Sequence, residues 1–226
     1  MPRSVSTHCS VTALLSKNGS TCTSPGRGDL CGCLETLAVV HSSMSWIINW
    51  WKKRLQRRNR TSADEVLEVV RRIMGAQRYC LVISRGGNGS DARMVQPLPA
   101  DRSSLTVRLG VHPGSRKVAQ LEADPHVTLV YADVGGHGYV TLKGTAALCP
   151  ATDERRLHWK SSWIAFFPDG PLSDGFVNVE FTPSRVEVMS FKHSVTPEPF
   201  GLRPACLCRT ATGAWELDRS EGMLPG

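Results

Sequence analysis

Ser115, Arg116 and Lys117 stand together where the apolar spacing of a short helix begins, with Val118 and Leu121 on one face and Asp124-Pro125 closing it. The N-terminal end of a helix carries partial positive charge and unpaired N–H groups, so two cations there are disfavoured unless an anion sits against them. A phosphate resolves the conflict. The Ser hydroxyl, free backbone N–H groups, a bidentate Arg and a Lys point charge together make an anion cradle. The same residues also fit a plain N-cap at Ser115 followed by two solvated cations. Other reactive groups are scattered. His112, His126, His137, His158 and His193 form no acid–base set by spacing, and Asp169 in Pro168-Asp169-Gly170 reads as turn chemistry. Cys31-Gly-Cys33 and Cys206-Leu-Cys208 each have a single intervening residue, shorter than zinc or redox pairs use. The eight cysteines therefore read as free thiols in a reducing compartment, and no metal site is expected.

The net charge of +7 is unevenly placed. Residues 1–60 hold nine Lys/Arg against Asp29 and Glu35, whereas residues 61–226 carry eighteen of each sign. The later part is thus neutral, its cations dispersed and without aromatic interleaving, which argues against a nucleic-acid surface. Residues 1–34, rich in Ser, Thr, Gly and Cys, predict disorder. An acid-poor, Ser-rich leader is compatible with a transit peptide, so a cytoplasmic location is expected unless the leader addresses an organelle. Leu34 to Trp51 is more apolar and runs into Lys52-Lys53-Arg54-Leu55-Gln56-Arg57-Arg58, a pattern suited either to weak contact with an anionic membrane surface or to loose docking on the domain. It is too short and too interrupted by Glu35, His41 and Asn49 to span a bilayer.

Three parts follow: a disordered basic leader (1–60), a folded domain (61–195) and a C-terminal arm (196–226) expected to lie on the surface. Thr61 to Glu65 reads as an N-cap with acidic residues in the first turn, and Val66, Leu67, Val69, Val70, Ile73 and Met74 predict a helix ending at Gly75. Strands are predicted at Tyr79–Ser84, Ala92–Pro97, Ser104–Val111, His126–Asp133, Tyr139–Leu148, Phe176–Phe181 and Arg185–Ser190. A helix is predicted over Ala151–Phe167, with Leu157, Ile164 and the aromatic residues on one side. Six or seven strands joined by hairpins, with short helices inserted, describe a mainly β antiparallel barrel rather than a parallel sheet.

Several motifs stand in one order: Ala92-Arg93-Met94-Val95, Ser115-Arg116-Lys117, Asp124-Pro125-His126-Val127 leading to Val130-Tyr131-Ala132, Tyr139 to Ala146, and Phe167-Pro168-Asp169-Gly170. Over about residues 62–192 this run resembles the pyridoxamine 5'-phosphate oxidase-like FMN-binding split barrels, in particular their general stress protein branch. The resemblance implies a split barrel and an FMN phosphate held by Arg93, Ser115, Arg116 and Lys117. Backbone groups of Met94, Val95 and Gln96 would line the flavin ring, with Tyr139 and Trp163 as further candidate contacts. It also implies a homodimer whose subunits share each flavin groove, and an oxidoreductase of unassigned substrate. A flavin, haem or deazaflavin store or sensor and a cofactor-free scaffold are the alternatives. Vitamin B6 oxidase activity is not expected, because the C-terminal segment with Trp215 and Arg219 does not match the closing segment of those oxidases.

Overall fold

The computed structural model of the protein describes residues 45–54, 57–60, 62–87, 89–149, 153–196 and 203–218. The expectations for the leader before residue 45 lie outside them. Residues 45–54 form helix α1. Then follow α2 (Ala63–Ala76), β1 (Cys80–Gly86), β2 (Gly89–Val95), β3 (Val107–Val111), α3 (Arg116–Ala123), β4 (His126–Asp133), β5 (Gly138–Cys149), α4 (Asp153–Leu157), β6 (Val177–Ser190), β7 (Ala205–Arg209) and β8 (Trp215–Leu217).

All strand pairs are antiparallel, and the spine is the long β5–β6 ladder, which runs from Gly138 opposite Ser190 to Cys149 opposite Asn178. On the far side of β5 come β4, β1 and β2 in that order. The other edge of β6 is divided: its first half takes β3 and its second half takes β7, with β8 beyond. No pairing joins β2 to β3 among the described strands, so the sheet curls into a barrel that stays open there. This is the mainly β split barrel that the strand pattern predicts.

Alternation sorts the side chains. Val82, Leu129, Leu142, Phe181 and Val188 point inward and are almost wholly buried, while α2 closes one end with Val66, Val70 and Ile73. Each such side chain contributes about 1.5–3 kcal/mol when fully removed from water. The α2 start is fixed by a capping box: Glu65 N donates to Ser62 Oγ at 3.3 Å, and Ser62 N donates to Glu65 Oε2 at 3.3 Å.

Three expectations are corrected. Phe176–Phe181 and Arg185–Ser190 are one continuous strand, β6, because the register shift between Lys143 and Gly144 on β5 absorbs the bend at Pro183. The C-terminal arm is not merely superficial: β7 and β8 extend the sheet and Leu207 is completely buried, since the second half of β6 would otherwise be a bare edge. The helix over Ala151–Phe167 is broken into α4 and a 3-10 turn at Ser161–Ala165. Leu157 (78 % exposed), Ile164 (51 %) and Phe166 are exposed whereas Trp163 is buried, so these residues do not share one side.

Candidate functional site

At the end of the barrel opposite α2, the β1–β2 ladder places Ser84 across from Asp91 and Val82 across from Arg93, so all four share the inner face. The chain leaves β3 through the His112–Gly114 turn and enters α3 with Ser115 as N-cap. That helix crosses the same end of the barrel, and its Gln120 reaches the strand pair. Arg93 Nη2 donates to Gln120 Oε1 at 2.7 Å and to Asp91 Oδ2 at 2.8 Å, and Nη1 donates to Ser84 Oγ at 3.0 Å. Gln120 Nε2 donates to Asp91 Oδ2 at 2.6 Å, and Ser84 Oγ donates to Gln120 Oε1 at 2.9 Å. The guanidinium is thereby fixed in orientation, and two of its five hydrogens keep no partner among the described residues.

Lys117 belongs to this cluster. It borders the barrel interior beside Ser84, Val82 and Leu121. Burial lowers its pKa below the ordinary lysine value, and the nearby Arg93 charge pushes in the same direction. Asp91 is held below the usual carboxylate range, first by the Gln120 hydrogen bond and then by the charges of Arg93 and Arg116. Arg116 itself is exposed at the rim. Ser115 Oγ is buried without a hydrogen-bond partner and makes no side-chain cap bond to α3. An N-cap hydroxyl ordinarily accepts from the first helical turn, and leaving it buried and unpaired costs about 1–3 kcal/mol. Arg93 and Asp91 are thus held against the second turn of α3, within electrostatic reach of Lys117 and Arg116 in its first turn, where Ser115 leaves a hydroxyl unused. That arrangement suits an oxyanion group.

The remaining candidates lie elsewhere. Met94 is 69 % exposed on the outer face of β2, opposite Leu81. Val95 returns to the inner face and packs partly against the core. Gln96 follows β2 and turns its amide towards Arg78 and Lys160. Tyr139 sits on β5, three strands from β2 or about 14 Å at ordinary strand spacing, and faces away from Val140 and Leu142. Trp163, only 4 % exposed, packs edge-on with Trp159 and against Phe176. A Cβ on Gly110 of β3 would come within 2.8 Å of the Trp163 ring, so this cluster lies on the outer side of β3. Within one subunit, Arg93 is thus grouped with α3 and its Lys117, while Tyr139 and Trp163 have other neighbours.

The sequence reading missed Ser84, Asp91 and Gln120. Two signals were present: Asp91 shares the Arg93 strand face at a spacing of two, and Gln120 lies one helical turn beyond Arg116.

With this geometry in hand, comparison with solved structures is informative about fold. The chain is similar to a Clostridium acetobutylicum protein related to general stress protein 26 of B. subtilis (pyridoxinephosphate oxidase family), with 16% identity and a TM-score of 0.52 over 56% of this chain and 89% of that one. It is also similar to a pyridoxamine 5'-phosphate oxidase-related, FMN binding protein from Nostoc punctiforme, with 13% identity and a TM-score of 0.50 over 68% and 94% of the two chains. General Stress Protein 26 from Bacillus anthracis aligns at 14% identity and a TM-score of 0.49, over 55% and 93%. No protein-family model matches the sequence. No curated protein matches it either. The architecture is that of the pyridoxamine 5'-phosphate oxidase-like split barrels.

Proposed function

We propose that this chain binds FMN through the Arg93, Ser115, Arg116 and Lys117 cluster, acts as a homodimer, and serves a flavin-dependent oxidoreduction. One observation carries the reading: Ser115 Oγ is buried without a partner at the helix start where the cations gather. The residues fit the group. A phosphate monoester bears close to two negative charges at neutral pH, which three cations can balance without an uncompensated buried ion. Arg93 supplies two remaining N–H donors on a fixed guanidinium, Lys117 a point charge at the barrel wall, and Ser115 a hydroxyl. Asp91 and Gln120 act through Arg93 by setting its plane. When bound, the flavin supplies the hydride or electron transfer, and the protein supplies position and electrostatics. The description of the Nostoc protein as FMN binding supports this reading.

The test is titration of the purified protein with FMN, followed by flavin fluorescence. Wild-type protein is expected to bind, and R116A/K117A to lose affinity by at least tenfold for each charge-assisted contact removed, worth about 1.5–3 kcal/mol apiece. Equal affinity in the double variant overturns the assignment. Bleaching of the bound flavin by NAD(P)H then separates an enzyme from a flavin store.

A second partner is favoured by α1. Trp46, Ile47, Ile48, Trp50 and Trp51 are all exposed, and helical spacing spreads them over about half of the helix surface, with Arg54 stacked on Trp50 among them and Lys52 and Lys53 at the margins. We infer contact of this face with an anionic lipid surface.

A further inference from the structure

A second cationic hollow lies at the α2 end of the barrel, away from the cluster around Arg93. It is a cavity of about 260 Å³ between the last turn of α2 and the β2–β3 connection. Met74, Pro97, Leu98, Leu105 and Tyr131 form its apolar wall, and Arg71, Arg78 and Lys160 are its charged groups. No carboxylate lines it among the described residues.

The charges are unevenly compensated. Arg71 pairs with Glu68 at 3.7 Å and donates from Nε to Arg102 O at 2.8 Å. Arg78 and Lys160 have no ion pair among the described residues, and they converge on one neutral group. With the Gln96 amide oriented so that its oxygen faces them, that oxygen accepts from Lys160 Nζ at 2.9 Å and from Arg78 Nε at 3.3 Å. Asp101, in the connection between β2 and β3, does not line the hollow, and its Oδ1 accepts from the N–H and hydroxyl groups of Ser103 and Ser104 at 2.7–2.9 Å. Arg78 is exposed and its guanidinium lies over the Tyr79 ring at 5.5 Å, so water and that ring share in its stabilisation, and the two cations that meet at the amide oxygen give the hollow a positive rim.

The hollow is also rigidly built. Leu105, almost fully buried on its wall, has φ 57°, a left-handed conformation that a non-glycine residue adopts at a cost of about 1 kcal/mol or more. The loop is pinned from outside by Trp215 Nε1 donating to Ser103 O at 3.2 Å and from within by Leu105 N donating to Asp101 O at 3.0 Å. The left-handed Leu105 is thereby held in place on the wall of the hollow.

We propose that this hollow binds a small organic anion, with its carboxylate or phosphate head on Arg78 and Lys160 and its apolar body against Pro97, Leu98 and Met74. The volume, about nine water molecules' share of liquid, suits a molecule the size of a substituted benzene. The proposal does not depend on flavin binding. Calorimetric titration of the full chain in chloride buffer with benzoate, phenyl phosphate and inorganic phosphate tests it, the organic arms showing which head group is preferred. At least one organic anion is expected to bind more tightly than inorganic phosphate, and R78Q/K160Q to weaken it by about tenfold or more. R116Q, in the other cluster, is expected to leave benzoate affinity unchanged, phosphate heads being ligands of that cluster as well. Should the double variant fail to fold, K160E in the half-buried connection after α4 is expected to give the same loss. Absence of binding by both organic anions at millimolar concentration, unchanged affinity in the Arg78 and Lys160 variants, or loss of benzoate affinity in R116Q instead overturns the proposal.

Discussion

Lys117 shows how one residue couples stability to binding. Its amine sits against Val82 and Leu121, and burial together with the Arg93 charge lowers its pKa. Between that lowered value and the ordinary lysine value, the unfolded chain holds the proton more tightly. Stability of the ligand-free protein therefore rises with pH through the window. Lys117→Met is expected to raise the unfolding midpoint by about 1–3 °C, since a half-exposed amine is partly screened and the gain stays below about 1 kcal/mol. A calorimetric scan checks this, and a lowered midpoint contradicts it. A docked phosphate works the other way by favouring the protonated amine. FMN affinity is expected to fall as pH rises through the lowered pKa in wild-type protein and to lose that dependence in Lys117→Gln, as read by titration across alkaline pH. The cations of this cluster were legible because Ser115-Arg116-Lys117 is contiguous. Asp91 and Gln120 were not, because their roles depend on β1 and β2 pairing in one register and on α3 folding back across them.

At the scale of elements, local chemistry foretold most of the molecule. The stripe from Val66 to Met74 and the Ser62–Glu65 cap define α2 without help from the rest of the chain. The failures fall where tertiary context decides. β7 has weak patterning but gains partners from the unpaired half of β6, and the segment after β5 lacks the propensity to carry a single helix through Trp159 and Trp163. The long β5–β6 ladder depends on one position. A Cβ on Gly144 would come within 2.7 Å of Pro183 Cα as well as meeting Thr182 O, both backbone atoms that cannot swing away. Gly144→Ala is expected to destabilise the protein by about 1–3 kcal/mol in urea unfolding, whereas Gly75→Ala, with open space around it, is expected to be close to neutral. Helix α1 poses a different question. Ten residues make a marginal helix in water, and a lipid interface that covers its tryptophans stabilises it. Vesicles containing phosphatidylserine are expected to blue-shift tryptophan emission and to co-sediment the protein, and W46S/W50S to abolish both. Unchanged emission with such vesicles removes the lipid reading.

For the molecule as a whole, the outer face of the sheet argues for a second copy of the chain. Pairing sets Met94, Leu81, Val130 and Thr141 in one row across β2, β1, β4 and β5, with Ala92, Ile83 and Thr128 in the next. Leu81 and Met94 remain exposed in the single chain, as does Tyr79 beside them. An open sheet with a partly apolar face, here flanked by Arg85 and by the Lys143–Glu187 pair, is commonly covered by a two-fold mate, and a stable interface removes about 800 Å² from each partner. Sedimentation equilibrium is accordingly expected to return twice the chain mass of 24.7 kDa. L81E/M94E places like charges against each other across the two-fold axis and is expected to give monomers, while both side chains stay solvated in the isolated barrel and its unfolding midpoint changes little. If both subunits shape each flavin groove, the monomeric variant also loses FMN affinity although Arg93, Ser115, Arg116 and Lys117 are untouched. A dimer that survives the double substitution shows that another face makes the contact, and a monomer that still binds FMN at wild-type affinity places the whole groove within one chain.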